Sequence, residues 1–322
     1  MKNSDGQYPV VFPLGSDEKI DLEIIRRSRF AEYYTGLADE TLHGCSMSQH
    51  FLPDGCVPTA RLNVLNREIR ANGSRLSVAL NVVSFRTAWR PWLEDLVKKI
   101  ADAGVHSVVV SHLGILEVVR STAPKLAVHI SSLAGATNLG ALRFFSQAGA
   151  DRVILPRSMT ASEVIELTKQ APRGLEIEAF ILGGGCAFAE HSCNLPHFLS
   201  GNGQSVSHLG PDALYTCLPH RPGCKSPALV KTHSGKTRVM SLHPGPGACG
   251  ICYGPAFLKA GVVSLKATGR AANPADLLRL AALTENALAE LTPDETETTA
   301  DFIQKCVRNR AECLYQKEWP YD

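Results

Sequence analysis

Six of the ten cysteines, Cys186, Cys193, Cys217, Cys224, Cys249 and Cys252, fall within 67 consecutive residues. In a reducing compartment, thiols clustered this way serve metal or redox chemistry more often than structural disulfides. The first four are spaced Cys186-x6-Cys193-x23-Cys217-x6-Cys224 and form none of the tight knuckles that hold zinc in fingers and ribbons. Widely spaced thiolates behind a glycine-rich approach, here Gly183-Gly184-Gly185, suit the separate corners of an iron–sulfur cluster. The spacing favours a cluster over zinc and leaves both open. Cys249-Gly250-Ile251-Cys252 reads as a redox dithiol, as the source of a substitute fourth ligand, or as unligated thiols lining the same loop. Cys45 and Cys56, with His43 and His50, read as separate thiols before a second metal site, and Cys306 and Cys313 as small apolar side chains on one helical face.

Thiolates at such distances must be positioned by a framework, and the chain outside this window supplies one. Ala103-Gly104-Val105, Ala148-Gly149-Ala150 and Ala260-Gly261-Val262 each read as a helix end, a glycine cap and the approach to a buried strand. Leu93, Leu96, Val97, Ile100 and Ala101 form the apolar face of the helix ahead of the first of these. Strands are expected near Val10–Pro13, Glu32–Thr35, Leu76–Asn81, Ser107–Ser111, Leu126–Ile130, Arg152–Leu155, Glu176–Ile181 and Val263–Ala267. Helix starts are marked by a capping box at Thr160-Ala161-Ser162-Glu163 and by Asn273-Pro274 and Thr292-Pro293. Eight alternating units predict a (β/α)₈ barrel in a single domain over residues 1–322, since the Gly-rich turn of a nucleotide-binding doubly wound sheet is missing. From about 183 to 255 the alternation gives way to Gly, Pro, Cys and His, which predicts an insertion tied down by a metal cluster.

With this framework in view, a family resemblance emerges. Leu175-Glu176-Ile177-Glu178-Ala179-Phe180-Ile181-Leu182-Gly183-Gly184-Gly185-Cys186, with Cys193 seven positions on, resembles the signature of the U32 family, historically called collagenase-like peptidases. Ala136 to Phe144 with Gly149 to Arg157, and Ala260 to Arg270, resemble two further family motifs, although the last reads Lys-Ala-Thr-Gly-Arg where the family has Lys-Ile-Glu-Gly-Arg. The resemblance covers about residues 75 to 290 and is nearest to members that hold a [4Fe–4S] cluster and take part in oxygen-independent hydroxylation, notably the anaerobic ubiquinone-biosynthesis pair. It implies cluster ligands at Cys186, Cys193, Cys217 and Cys224, prephenate as oxygen donor, and a heterodimer with a second U32-type subunit or a homodimer.

Barrel active sites gather at the C-terminal ends of the strands. On that argument His129, Glu178 and Arg157 are candidates for catalysis, and Asn81, His112, Lys266 and Arg270 for substrate binding. Arg157, Lys266 and Arg270 could hold a carboxylated substrate such as prephenate, or equally form ordinary ion pairs. His191 and His197, beside the cluster cysteines, are candidate proton donors or solvated loop residues.

With 33 Lys and Arg against 31 Asp and Glu, the net charge of +2 gives little pull toward phosphate, so a small-molecule or hydrophobic acceptor is expected rather than nucleic acid. No apolar run approaches the roughly 20 residues of a membrane span, and the N-terminus has no signal-like apolar stretch, so a cytoplasmic protein is expected. A peptidase would need a nucleophile with a base or an open metal site, and neither H-E-x-x-H nor G-x-S-x-G is present. A third reading is a cluster-bearing subunit whose partner holds the substrate.

Overall fold

The computed structural model describes residues 1–15, 17–38, 56–81, 85, 87–183, 191, 227–231, 237–241, 249–269 and 273–290. Eight parallel strands form its centre: β1 (Tyr8–Pro13), β2 (Phe30–Ala38), β4 (Arg75–Leu80), β5 (Ser107–Val110), β6 (Ala127–Ile130), β7 (Arg152–Ile154), β8 (Glu176–Leu182) and β11 (Ser264–Ala267). They hydrogen-bond in the order β1-β11-β8-β7-β6-β5-β4-β2, and β2 pairs back onto β1, which closes the sheet into a barrel. A short strand β3 (Cys56–Pro58) adds to β2 outside the closed set, and β9 (Pro227–Lys231) pairs antiparallel with β10 (Thr237–Ser241) in a separate hairpin. This hairpin lies inside the stretch where the sequence shows no alternation.

Helices α1 (Glu18–Arg27), α2 (Leu62–Ala71), α3 (Arg90–Asp102), α4 (Leu113–Thr122), α5 (Leu139–Gln147), α6 (Ala161–Lys169), α7 (Gly254–Ala260) and α8 (Pro274–Glu290) surround the strands. The apolar stripe predicted in α3 is the face it buries, through Leu93, Leu96, Val97 and Ile100. The helix packs beside α4, and β5, the strand that follows it, is buried at every residue. Continuous apolar runs such as Val108-Val109-Val110 are the mark of parallel strands covered on both faces. The helix ends are set as their residues dictate. Gly104, Gly149 and Gly261 all take positive φ, the left-handed turn that ends a helix and that a Cβ disfavours. Thr160 and Glu163 form the reciprocal capping box at the start of α6, and Asn273 Oδ1 accepts from the backbone N–H of Asp276 at the start of α8. No helix among the described residues is long and apolar enough to cross a membrane.

The register shows which residues face the lumen. One row of aligned neighbours runs Gly36, Ala79, Val109, His129, Arg152, Glu176, starting late in β2 and reaching the first residue of β7. That descent is the stagger a barrel needs in order to close. Aligned residues share a face, and residues two apart along a strand return to it, so Glu32, Tyr34, Ser77, Ser107, Glu178 and Lys266 belong to the same face. A single contact identifies this face as the inside. Arg152 Nη1 on β7 lies 2.8 Å from Glu32 Oε2 on β2, and these strands are four places apart in either direction round the barrel.

Candidate active site

Barrel lumens are ordinarily filled by branched apolar side chains. Here the middle of the lumen is charged. Arg152 Nη1 donates to Glu32 Oε2 at 2.8 Å and to Glu178 Oε2 at 2.9 Å, and its Nε donates to Glu176 Oε2 at 2.8 Å. Lys266 Nζ donates to the other oxygen of Glu178 at 2.9 Å and stands 4.0 Å from the centre of the Tyr34 ring, a cation–π contact. On the far side of Glu32 the network continues through hydroxyls. Ser77 Oγ donates to Glu32 and pairs with Ser107 Oγ, and Ser107 Oγ lies 3.4 Å from His129 Nδ1.

The fully enclosed charges balance, with Glu32 and Glu178 against Arg152 and Lys266, which is the condition for burying them at all. Burial alone would raise the Glu178 carboxyl, but Lys266 and then Arg152 outweigh it and hold the group below the ordinary carboxylate range. Glu32 behaves likewise: burial works against the charge, and Arg152 with the Ser77 hydroxyl overcomes it. Burial also opposes the charge on Arg152, and Glu32, Glu178 and Glu176 more than compensate, so the guanidinium stays protonated. His129 is pushed well below the usual imidazole range, first by burial and then by Arg152, and is therefore neutral at pH 7.

The sequence candidates divide into two groups. His129, Glu178 and Lys266 are inside the lumen network. Asn81, His112 and Arg157 follow the ends of β4, β5 and β7, at the C-terminal mouth. His112 caps α4, its Nδ1 accepting from the N–H of Gly114 at 3.1 Å, and burial lowers its pKa. Arg157 places its guanidinium carbon 5.1 Å from the centre of the Phe180 ring. Asn81 is buried. Arg270 and the four cysteines Cys186, Cys193, Cys217 and Cys224 lie outside the described residues, as do Cys45, Cys306, Cys313, His43, His50 and His197. The sequence reading did not single out Glu32, Tyr34, Ser77, Ser107 or Arg152 for the site. The available signal was a charged residue set among apolar ones in a strand, as in Asp151-Arg152-Val153-Ile154.

The ends of the cysteine-bearing segment are both tied to the mouth. Gly183 follows β8 with φ +119°, where a Cβ would fall 1.6 Å from Thr268 Oγ1, so the chain can leave the strand this close to β11 only as glycine. At the other end Cys249 bridges back to Leu182, and the Gly250 N–H donates to the carbonyl of Ile181 at 2.8 Å. Within the segment, the His191 ring lies against Gly135 in the β6–α5 loop, 2.7 Å from where a Cβ would stand. Cys252 is buried and Cys249 half-buried beside this root. Among the described residues no three His, Cys, Asp or Glu side chains gather into a metal-binding group.

Fold and site together define a (β/α)₈ barrel with a charged, hydrogen-bonded lumen and a cysteine-rich segment rooted at its mouth. The profile of peptidase family U32 matches residues 56–319, and the chain belongs to that family. Among similar proteins are "tRNA hydroxylation protein P" of Escherichia coli, 29% identical over 133 residues, or 41% of this chain and 29% of the relative. "tRNA hydroxylation protein P1" of Bacillus subtilis is 31% identical over 128 residues, 40% of this chain and 30% of the relative. "tRNA hydroxylation protein P2" of the same organism is 23% identical over 246 residues, covering 76% of this chain and 73% of the relative. The aligned part of this chain thus spans less than a third of the length of the first two relatives.

Proposed function

We propose that this chain is a hydroxylase of the U32 family that acts without molecular oxygen, with a [4Fe–4S] cluster carried by the cysteine-rich segment whose ends are rooted at the barrel mouth. The observation that carries this reading is the rooting of that segment. Its two ends meet at the C-terminal end of β8, the end of a barrel where substrates bind. Names given to the relatives for tRNA hydroxylation support the reaction class. Four thiolates, Cys186, Cys193, Cys217 and Cys224, fit a cluster in donor type and number, and Cys249 or Cys252 at the segment's root is the alternative source of the fourth. Such a cluster supplies electron relay when bound.

The chain's own residues provide the rest. Arg157 and Lys266, with Arg270, are the cations for a carboxylated oxygen donor such as prephenate, and Glu178 fixes Lys266 in place at 2.9 Å. His129, neutral and enclosed, extends the network beneath the mouth through Ser107 without adding charge. A small or hydrophobic acceptor suits the net charge of +2, and a tRNA acceptor is the second reading, favoured by the names of the relatives. Peptidase action suits the site poorly. Ser107 and His129 form a serine–histidine pair, but they are 0% and 2% exposed inside the lumen, where no peptide bond can reach them.

Iron and acid-labile sulfide analysis of protein purified without oxygen tests the reading. About four of each per chain are expected, with loss in Cys186→Ala. Zinc without sulfide would overturn it. Filter binding of bulk tRNA at physiological salt separates the acceptors, since retention that falls steeply with salt would select tRNA.

A further inference from the structure

Two separate constraints fall on Gly135 in the loop after β6. It ends the short 3₁₀ turn Ser132–Ala134 with φ +72°, where a Cβ is disfavoured, and the space a Cβ would need is already occupied. Such an atom would lie 2.7 Å from His191 Cγ, 2.9 Å from its Cδ2 and 3.0 Å from its Cβ. Carbon atoms of the His191 side chain therefore rest on the bare backbone of residue 135, while the residue as a whole is exposed. The seat itself is firm. Ser131 Oγ accepts from the Leu133 N–H at 3.3 Å, the Gly135 N–H donates to the Ser132 carbonyl at 3.2 Å, and the Thr137 N–H donates to the Gly135 carbonyl at 2.9 Å. Ser131, Ser132 and Ala136 are buried, and Asn138 caps α5 immediately beyond.

His191 belongs to the segment that leaves β8 at Gly183 and is back on β8 at Cys249. Its contact lies on a different strand's loop. β7 stands between β6 and β8, so the two fastening places are about 10 Å apart and flank the strand that leads to Arg157. A long loop tied only at its ends keeps most of its conformational freedom, and a tie between them removes part of it. Cys193 follows His191 by two residues, so covalent geometry alone keeps their Cα atoms within about 7 Å.

We infer that His191 is a positioning residue, docked through its side-chain carbons on Gly135, which fastens the cysteine-rich segment to the β6–α5 loop and thereby confines Cys193. The docking stands on the contact itself. Its consequence, a thiolate held in place before it binds iron, rests on the proposed cluster, because a ligand confined in advance loses less freedom on binding.

The test compares wild type, His191→Gly, His191→Phe and Gly135→Ala, all purified without oxygen. Amide hydrogen exchange of the peptide around residue 191 reads the docking, and the rate at which a ferrous-iron chelator strips iron reads the cluster. His191→Gly changes an exposed residue and leaves the barrel folded, so it is expected to speed both rates several-fold. His191→Phe keeps a ring on the same carbons and is expected to match wild type in both. Gly135→Ala should resemble His191→Gly, and should add little when the two are combined. Exchange unchanged in His191→Gly would overturn the docking. If His191→Phe were as damaging as His191→Gly, the ring nitrogens would be what matters, as a ligand or proton donor, and the positioning role would fall. Wild type without iron and sulfide, but with exchange rates in the expected order, would sink the cluster reading and leave the docking in place.

Discussion

Removing a single charge from the lumen strands its partners, and the size of the effect depends on how many it strands. Arg152 serves both Glu32 and Glu178, so Arg152→Met leaves one carboxylate with only a hydroxyl and the other with only Lys266. Breaking a buried pair in this way costs about 3–5 kcal/mol. Lys266→Met should cost less, because Glu178 keeps Arg152. Urea unfolding at pH 7 measures both, and equal losses would contradict the arrangement. The pH dependence has a definite sign. His129 is neutral in the fold with a lowered pKa, so its contribution is complete above about 6.5 and is lost as the unfolded chain takes up a proton on acidification. Glu32 and Glu178, held low, contribute above about 4.5 and lose that contribution only as the pH falls through their folded values. His129 should therefore contribute a decline between pH 6.5 and 5 with a slope of up to about 1.4 kcal/mol per unit, opposed below about pH 6 by Asp21, whose buried carboxyl is lifted to about 6, and His129→Asn should remove the His129 component from a series of unfolding curves. At this scale the sequence was only partly legible. His129, Glu178 and Lys266, singled out in expected strands, stand in the lumen network. Glu32 and Arg152 lie in expected strands too, each a charge set among apolar residues, but the contact that joins them spans 120 positions and no local pattern pairs them.

At the scale of elements, local chemistry spoke more clearly. The three Ala-Gly steps, the capping box of α6 and the apolar stripe of α3 each act within a few residues, and each stands where the sequence put it. The hairpin of β9 and β10 was not anticipated, because its short strands sit in a stretch dominated by turn-forming residues. Gly183 is the most constrained link among these elements. Gly183→Ala would bring a methyl into the Thr268 side chain and strain a backbone at φ +119°, so the junction of β8 with β11 must shift. A loss of roughly 1–3 kcal/mol is expected, read as a lowered melting temperature, together with reduced iron content if the root of the segment is displaced. Thr268→Gly in the same protein should recover only the part due to the colliding side chain, since the strain at φ +119° and the approach to the residue 268 backbone nitrogen remain.

At the scale of the whole molecule, the barrel was legible because its evidence is distributed. Eight expected strands recur as the eight barrel strands, so an error at any one boundary changes little. The closure of β1 onto β2 needs only that count. The charged interior has no such redundancy. The tie from Arg152 to Glu32 crosses the full width of the barrel and stoppers the lumen at that layer. On the proposed function, an oxygen donor and an acceptor that share the mouth approach from one side of this stopper and form a queue. They must bind in sequence, with the deeper one first, and its remnant must leave last. Steady-state kinetics should then be compulsory-order, with the last product to depart competing only against the first reactant to arrive. A random-order pattern of product inhibition would mean that a second way in exists.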